Sequence, residues 1–184
     1  RMTSIKPSGT VSLLNGSTPG IHFPEDEYYI RRIRFSMGST LIPPLREAGY
    51  KIEKDSYSPR TYCVEFPVHE PFFFKGKRDI SMWEQLEIAA QYQHYWADNS
   101  VSVTVTFRPH EADQIKDALE MYETRLKAVS FLRYEETGYE QAPYEPITKE
   151  EYEEMNKRIT PIQKIETDEG GVGSKFCTND TCLI

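Results

Sequence analysis

Two of the chain's three cysteines, Cys177 and Cys182, stand within its last eight residues, in the run KFCTNDTCLI. Four residues separate them, and a ring of that size can close as a disulfide without obvious strain. Closing so short a loop near a chain end constrains nothing distant, so a purely structural bridge has little to do there. Zinc would need two further ligands nearby, and none is supplied. A redox dithiol is the leading reading, with a structural bridge left open. Local charge pulls both ways: Lys175 favours the thiolate at Cys177, whereas Asp180 disfavours it at Cys182. The preceding DEGGVGSK stretch, 168–175, is a glycine-rich tether. A coil of about fifteen such residues spans on the order of 20 Å, the reach of an arm swinging between surface and buried pocket.

A second stretch with chemical content is Lys6-Pro7-Ser8-Gly9-Thr10, a strand–turn–helix corner. Free backbone N–H groups at a helix start suit a phosphate, with Pro7 fixing the turn and Gly9 allowing close approach. Such corners also occur without ligands, and this one lacks the second glycine and Lys-Ser/Thr of a Walker loop. Arg31, Arg32 and Arg34 form a basic group that could meet phosphates or another domain, although a solvated helix face is the plainer reading. His22, His69, His94 and His110 show no ligand spacing with one another or with cysteine, so no metal site is expected. Cys63 lies in a strand pattern and reads as a small buried apolar residue.

These residues need elements to position them. The 184 residues fit one domain or a large piece of a bigger protein, and 38% apolar content with 12 Tyr, 9 Phe and 2 Trp is enough for a packed core. A net charge of −7 does not favour nucleic acid or an acidic membrane as partner. No apolar run is long enough to span a bilayer, and RMTSIKPSGT lacks a signal-peptide layout. Three cysteines, an odd number, argue against a secreted disulfide framework and for a reducing, cytoplasmic setting.

Thr3–Lys6 reads as a strand end, followed by a short helix from Thr10 to Asn15-Gly16. Helices are expected over 25–35 and 40–48, the latter tolerating Pro43-Pro44 near its first turn and ending at Gly49. YCVEFPV, 62–68, alternates as a strand, with Pro67 near its end. Phe72-Phe73-Phe74 reads as a loop with an aromatic anchor. Ser81 and Glu84 form a capping box for a helix to about Trp96. VSVTVTF, 101–107, is the clearest strand, with Val101, Val103, Val105 and Phe107 on one face. A helix over 111–127 would carry Ile115, Leu119, Tyr122 and Leu126 as its buried stripe. A strand over 129–134 follows, then a helix from the Thr148/Glu151 capping box to about Arg158. Strands alternating with helices predict an α/β layered or barrel architecture.

Several stretches together (TSIKPSGTVSLLNGSTPGIHF, YYIRRIRF, TYCVEFPV, YWADNSVSVTVTF, QAPYEPI and the terminal Cys-x4-Cys) resemble, in order over nearly the whole chain, one family. The chain is similar to the C-terminal part of the monomeric, adenosylcobalamin-dependent (class II) ribonucleoside-triphosphate reductases. The resemblance implies the later part of a ten-stranded α/β barrel over 1–160, followed by a flexible redox tail over 161–184. It implies a chemistry in which cofactor homolysis generates a cysteine thiyl radical that takes the ribose 3′ hydrogen. The 2′ hydroxyl then leaves as water while a pair of thiols becomes a disulfide. A mobile C-terminal pair, matched by Cys177 and Cys182, reduces that disulfide and is itself reduced by thioredoxin or a similar donor. Pro7, Ser8, Gly9 and Thr10 match the loop that cradles the substrate phosphates. Cobalamin-facing segments would fall within 20–80 and 139–170.

The family's radical cysteine and substrate-oxidised thiols have no match here, and Cys63 takes none of their roles. The chain starts within a motif, with Met2 its one credible native start, and is expected to be a fragment, inactive without an N-terminal remainder. A non-catalytic nucleotide-binding or partner module with a thiol tether is the alternative, and a glycyl-radical enzyme a weaker third.

Overall fold

A computed structural model describes residues 2–7, 12, 17–134 and 140–162. Ser8, Gly9 and Thr10, all but Ser12 of the short helix expected after them, and the tail from 163 onward with Cys177 and Cys182 lie outside the described residues.

The largest sheet has four antiparallel strands in the order β2-β3-β1-β6: Lys51–Lys54, Thr61–His69, Tyr28–Ser36 and Tyr144–Pro146. β1 occupies the stretch expected to be helical, and this is the main correction to the sequence reading. Its Tyr, Ile and Phe residues are strand formers. Its period-two pattern is hidden because both faces are covered, one by apolar groups and one by ion pairs. The register sets Ile33 opposite Val64 and Arg32 opposite Glu65. Pro67 lies inside β3 rather than at its end, and is tolerated because β2 stops at Lys51, opposite Glu65, leaving that flank of β3 unpaired.

One core packs helix α1, Ile42–Glu47, against Val64 of this sheet, with Phe35, Tyr62 and Phe66 around them. Gly49 follows α1 at φ +90°, and a Cβ there would stand 2.1 Å from the Arg158 carbonyl oxygen. Only glycine lets the end of α4, Lys149–Arg158, approach so closely. The Thr160 amide then donates to the Ala48 carbonyl at 2.8 Å. The capping box of α4 is complete, with the Thr148 amide on Glu151 at 2.8 Å and the Glu151 amide on Thr148 Oγ1 at 3.2 Å.

The second core is formed by α2, Met82–Tyr95, lying on β4, Thr104–Phe107, with Leu86, Ala89 and Ala90 against Val103 and Val105. Ser81 caps α2 by accepting from the Glu84 amide at 3.1 Å, while the Glu84 carboxylate is held by Lys75 at 2.7 Å rather than completing a box. β4 pairs in parallel with β5, Ser130–Arg133, through a 3₁₀ turn, Pro109–Gln114, and α3, Ile115–Tyr122. The stripe on this helix differs from expectation. Ala118 and Tyr122 are buried, whereas Leu119 is 48% exposed. The 3₁₀ turn has three residues per turn and shifts the phase of everything after it.

Thr3–Lys6 forms no ladder strand, yet Thr3 and Ile5 carbonyls accept from the Asn99 and Ser102 amides. The chain is thus mixed α/β, but its strands make two small sheets, and the described residues close no barrel. The four-stranded sheet is built by antiparallel β1–β3 pairing, which alternation of element types does not fix in advance.

Candidate functional site

Two adjoining cavities open where the N-terminal segment crosses the molecule. Gly20 sits at φ +60° with its α-carbon side packed on Lys6, where a Cβ would approach the carbonyl oxygen to 3.2 Å. This close crossing fixes the segment beside Pro7. His22 ties it to β4: Nδ1–H donates to the Pro19 carbonyl at 2.7 Å, and Nε2 accepts from the Thr104 amide at 3.1 Å. Those two bonds select the neutral Nδ1–H tautomer.

The larger cavity, about 790 Å³, runs between this segment, the Phe72–Lys75 loop and the C-terminal half of α2, which presents Gln91, Tyr95 and Trp96. Its walls are aromatic and mostly apolar. The smaller cavity, about 230 Å³, is bounded by Pro7, Glu25, Tyr29, Lys77 and Tyr144. The two share Thr18, His22, Phe23, Pro24 and Glu70. Glu70 is therefore the carboxylate between them.

Glu70 is positioned from both sides of its own backbone and side chain. Its amide donates to the Glu27 carbonyl at 2.9 Å, and its Oε1 accepts the Tyr29 hydroxyl at 2.8 Å. Burial, then the hydrogen bond to Glu70, pushes the Tyr29 phenol well above the usual tyrosine range. Tyr29 is thus a fixed donor, and Glu70 keeps acceptor capacity beyond that one bond, since a carboxylate offers about four lone-pair sites. Lys77 lies 3.1 Å from Glu25 and 4.6 Å from the Tyr144 ring centre. The Arg31 guanidinium stacks on the same ring at 4.3 Å.

The arginine group expected on a solvated helix face is instead a clamp on a strand. Arg34, Arg32 and Arg31 donate to three consecutive carbonyls, those of Gln141, Ala142 and Pro143, at 3.1, 3.1 and 3.2 Å. They hold the segment that delivers Tyr144 to the cavity. Arg32 also pairs with buried Glu65 at 2.9 Å and with Glu145, and Arg34 with Asp55 at 3.0 Å. Cys63 is 2% exposed beside them. Burial pushes its thiol up, and the charges of Arg34 and Arg32 oppose that only in part. It is the small buried residue its strand position predicts.

Of the expected phosphate loop, Pro7 is described, exposed at the mouth of the smaller cavity. Ser8, Gly9, Thr10, Cys177 and Cys182 fall outside the described residues. The sequence reading did not single out Tyr29, Glu70, Lys77 and Tyr144. Tyr144 lies in the QAPYEPI stretch and Phe72-Phe73-Phe74 gave an aromatic signal, but Glu70 is a single carboxylate in a turn with no pattern to mark it.

No family model matches the chain. It is 46% identical over 191 residues to the probable adenosylcobalamin-dependent ribonucleoside-triphosphate reductase of Dictyostelium discoideum, covering 100% of this chain and 25% of that protein. The Euglena gracilis adenosylcobalamin-dependent ribonucleoside-triphosphate reductase is 45% identical, with 100% and 26% covered. A crystal structure of a B-12 dependent (class II) ribonucleotide reductase superposes with a TM-score of 0.75 at 42% identity, over 85% of this chain and 22% of that one. The chain spans about a quarter of the length of the curated relatives it matches.

Proposed function

From the premise that this chain is homologous along its whole length to about a quarter of an adenosylcobalamin-dependent ribonucleoside-triphosphate reductase, we propose that it is a working part of such an enzyme. The enzyme reduces ribonucleoside triphosphates to 2′-deoxyribonucleoside triphosphates. The single observation that carries the reading is the identity of 40–46% maintained over the whole chain against relatives of that name.

In this reading Pro7 fixes the turn, and Ser8, Gly9 and Thr10 offer backbone N–H groups to the substrate phosphates. The N-terminal remainder of the reductase supplies the radical cysteine and the thiol pair that substrate oxidises, and completes the barrel to which β4, α3 and β5 contribute one βαβ unit. Cys177 and Cys182 form the relay. Their dithiol attacks the oxidised pair, passes two electrons and two protons, and leaves as a disulfide that thioredoxin or a similar dithiol reduces.

The residues around the larger cavity fit one side of a cofactor as large as adenosylcobalamin. The cavity of about 790 Å³ has a wide aromatic wall, the Gln91 amide, and the buried Glu70 acceptor at its inner end. When bound, the cofactor supplies the radical by homolysis of its cobalt–carbon bond. This chain's own contribution is to shield the inner wall from water with half-buried Phe23, and to accept a donor group at Glu70. Lys77, neutralised by Glu25, adds no net charge at the boundary toward Pro7.

The test is reconstitution with the N-terminal remainder. Deoxynucleotide formation should require adenosylcobalamin. Cys177→Ser or Cys182→Ser should leave a single turnover of prereduced enzyme nearly intact while stopping thioredoxin-driven turnover. Equal loss in both assays would remove the relay role, and activity without adenosylcobalamin would remove the cofactor assignment.

A further inference from the structure

The larger cavity has a rim that its floor does not explain. Phe72 is 88% exposed, Phe74 83%, Tyr95 82% and Trp96 61%. Phe72 and Phe74 come from the loop before α2, Tyr95 and Trp96 from its C-terminal end, and all four line one cavity. They have no part in the core, because α2 buries its opposite side through Met82, Leu86, Ala89 and Ala90. Among the described residues, Phe74 meets the Phe23 ring edge-on at 6.2 Å. Soluble proteins rarely leave so contiguous an aromatic surface uncovered.

We propose that Phe72, Phe74, Tyr95 and Trp96 are the docking surface for the part of the reductase that this chain lacks, so that the cavity is one half of a site closed by the other part. The inference rests on the reading under Proposed function and names the surface that reading requires. Three observations choose this occupant. The relatives are about four times as long as their match here, so in them a large body of polypeptide accompanies this segment. Lys75, next to Phe74 in the chain and lining the same cavity, is neutralised by Glu84 at 2.7 Å, so the surface asks for apolar rather than ionic complement. A second copy of the chain would bring its own net charge of −7 against the same charge. Four aromatic side chains burying roughly 150–250 Å² each approach the about 800 Å² that one partner contributes to a standard interface. Ligand sites are commonly built at such junctions.

Hydroxyl-radical footprinting tests this without substitutions. Oxidation rates of the four residues would be measured in the 184-residue chain alone, and in a full-length chimera where it replaces the matching quarter of the Dictyostelium discoideum relative. The same graft into the Euglena gracilis relative is the second host. Rates at the four residues should fall at least about fivefold in the chimera, as expected for an interface core that excludes water. Leu119 and Met121, exposed on α3, should keep theirs. Undiminished rates in a chimera that makes deoxynucleotides would overturn the docking surface and leave the reductase reading standing. Undiminished rates with no adenosylcobalamin-dependent activity would overturn both. Protection that appears in the isolated chain as its concentration rises would make a second copy the occupant and overturn the proposal. Failure of both hosts to accept the chain as a folded protein would show the surface has no complement in them, with the same result.

Discussion

Tyr29 donates its hydroxyl to Glu70 Oε1 at 2.8 Å, in a place where the two residues are only 1% and 8% exposed. The bond joins β1 to the turn after β3 at the wall shared by both cavities, so it serves packing and site together. Tyr29→Phe would leave a buried carboxylate oxygen without its donor, a loss of about 1–3 kcal/mol in urea unfolding. The same variant should alter ligand affinity at the cavity, because Glu70 would be free to turn.

The alkaline limb of stability follows from the same pair. Burial and the Glu70 bond raise the Tyr29 phenol above its ordinary value of 10.0. A group whose folded pKa is raised holds its proton in the folded state while the unfolded chain has released it. Its contribution is complete below about pH 10 and is lost as pH climbs beyond that toward the folded value. Stability measured from pH 9 to 11.5 should therefore decline, and Tyr29→Phe should flatten part of the decline. A slope identical in the two proteins would show that Tyr29 titrates normally.

At the acid end the group to watch is Glu87. Arg125, at 2.7 and 2.8 Å from its two oxygens, and then Gln91 and Tyr122 hold its carboxyl down to about 2. Its folded pKa is depressed, so its contribution is present above the unfolded value of 4.5 and is lost as pH falls through about 2. The pair is solvent-facing and salt will weaken it. Carboxyl NMR titration at low salt should find the midpoint near 2, and Arg125→Ala should bring it back toward 4.5.

The arginine clamp shows what was and was not legible beforehand. Val101, Val103 and Val105 announced their burial by alternation, Thr148 and Glu151 their helix start, and Gly49 its helix end, because each signal is local. Arg32 announced nothing. Its strand lies between β3 and β6, and the carboxylates that neutralise it, Glu65 and Glu145, are 33 and 113 positions away in sequence. Without them, three arginines among apolar residues look like an amphipathic helix face. Glu70 was silent for the same reason, since its meaning comes from Tyr29 across the sheet.

Arg32 is accordingly the residue whose loss should cost most in this sheet. It is 9% exposed and its partner Glu65 4%. Arg32→Ala would strand a buried carboxylate whose remaining cation, Lys51 at 3.2 Å, is itself 55% exposed. It would also release the Ala142 carbonyl, loosening the segment that carries Tyr144. Breaking a buried pair on one side costs about 3 kcal/mol or more. Arg34→Ala removes a side chain that is 31% exposed, but it strands Asp55, whose side chain is 2% exposed, so its cost should approach that of Arg32→Ala. Urea unfolding of both variants ranks them directly. The double variant Arg32→Met/Glu65→Leu separates charge from shape: removing both charges should recover much of the Arg32→Ala loss. No recovery would mean that the Ala142 bond, and not the stranded carboxylate, is what Arg32 contributes.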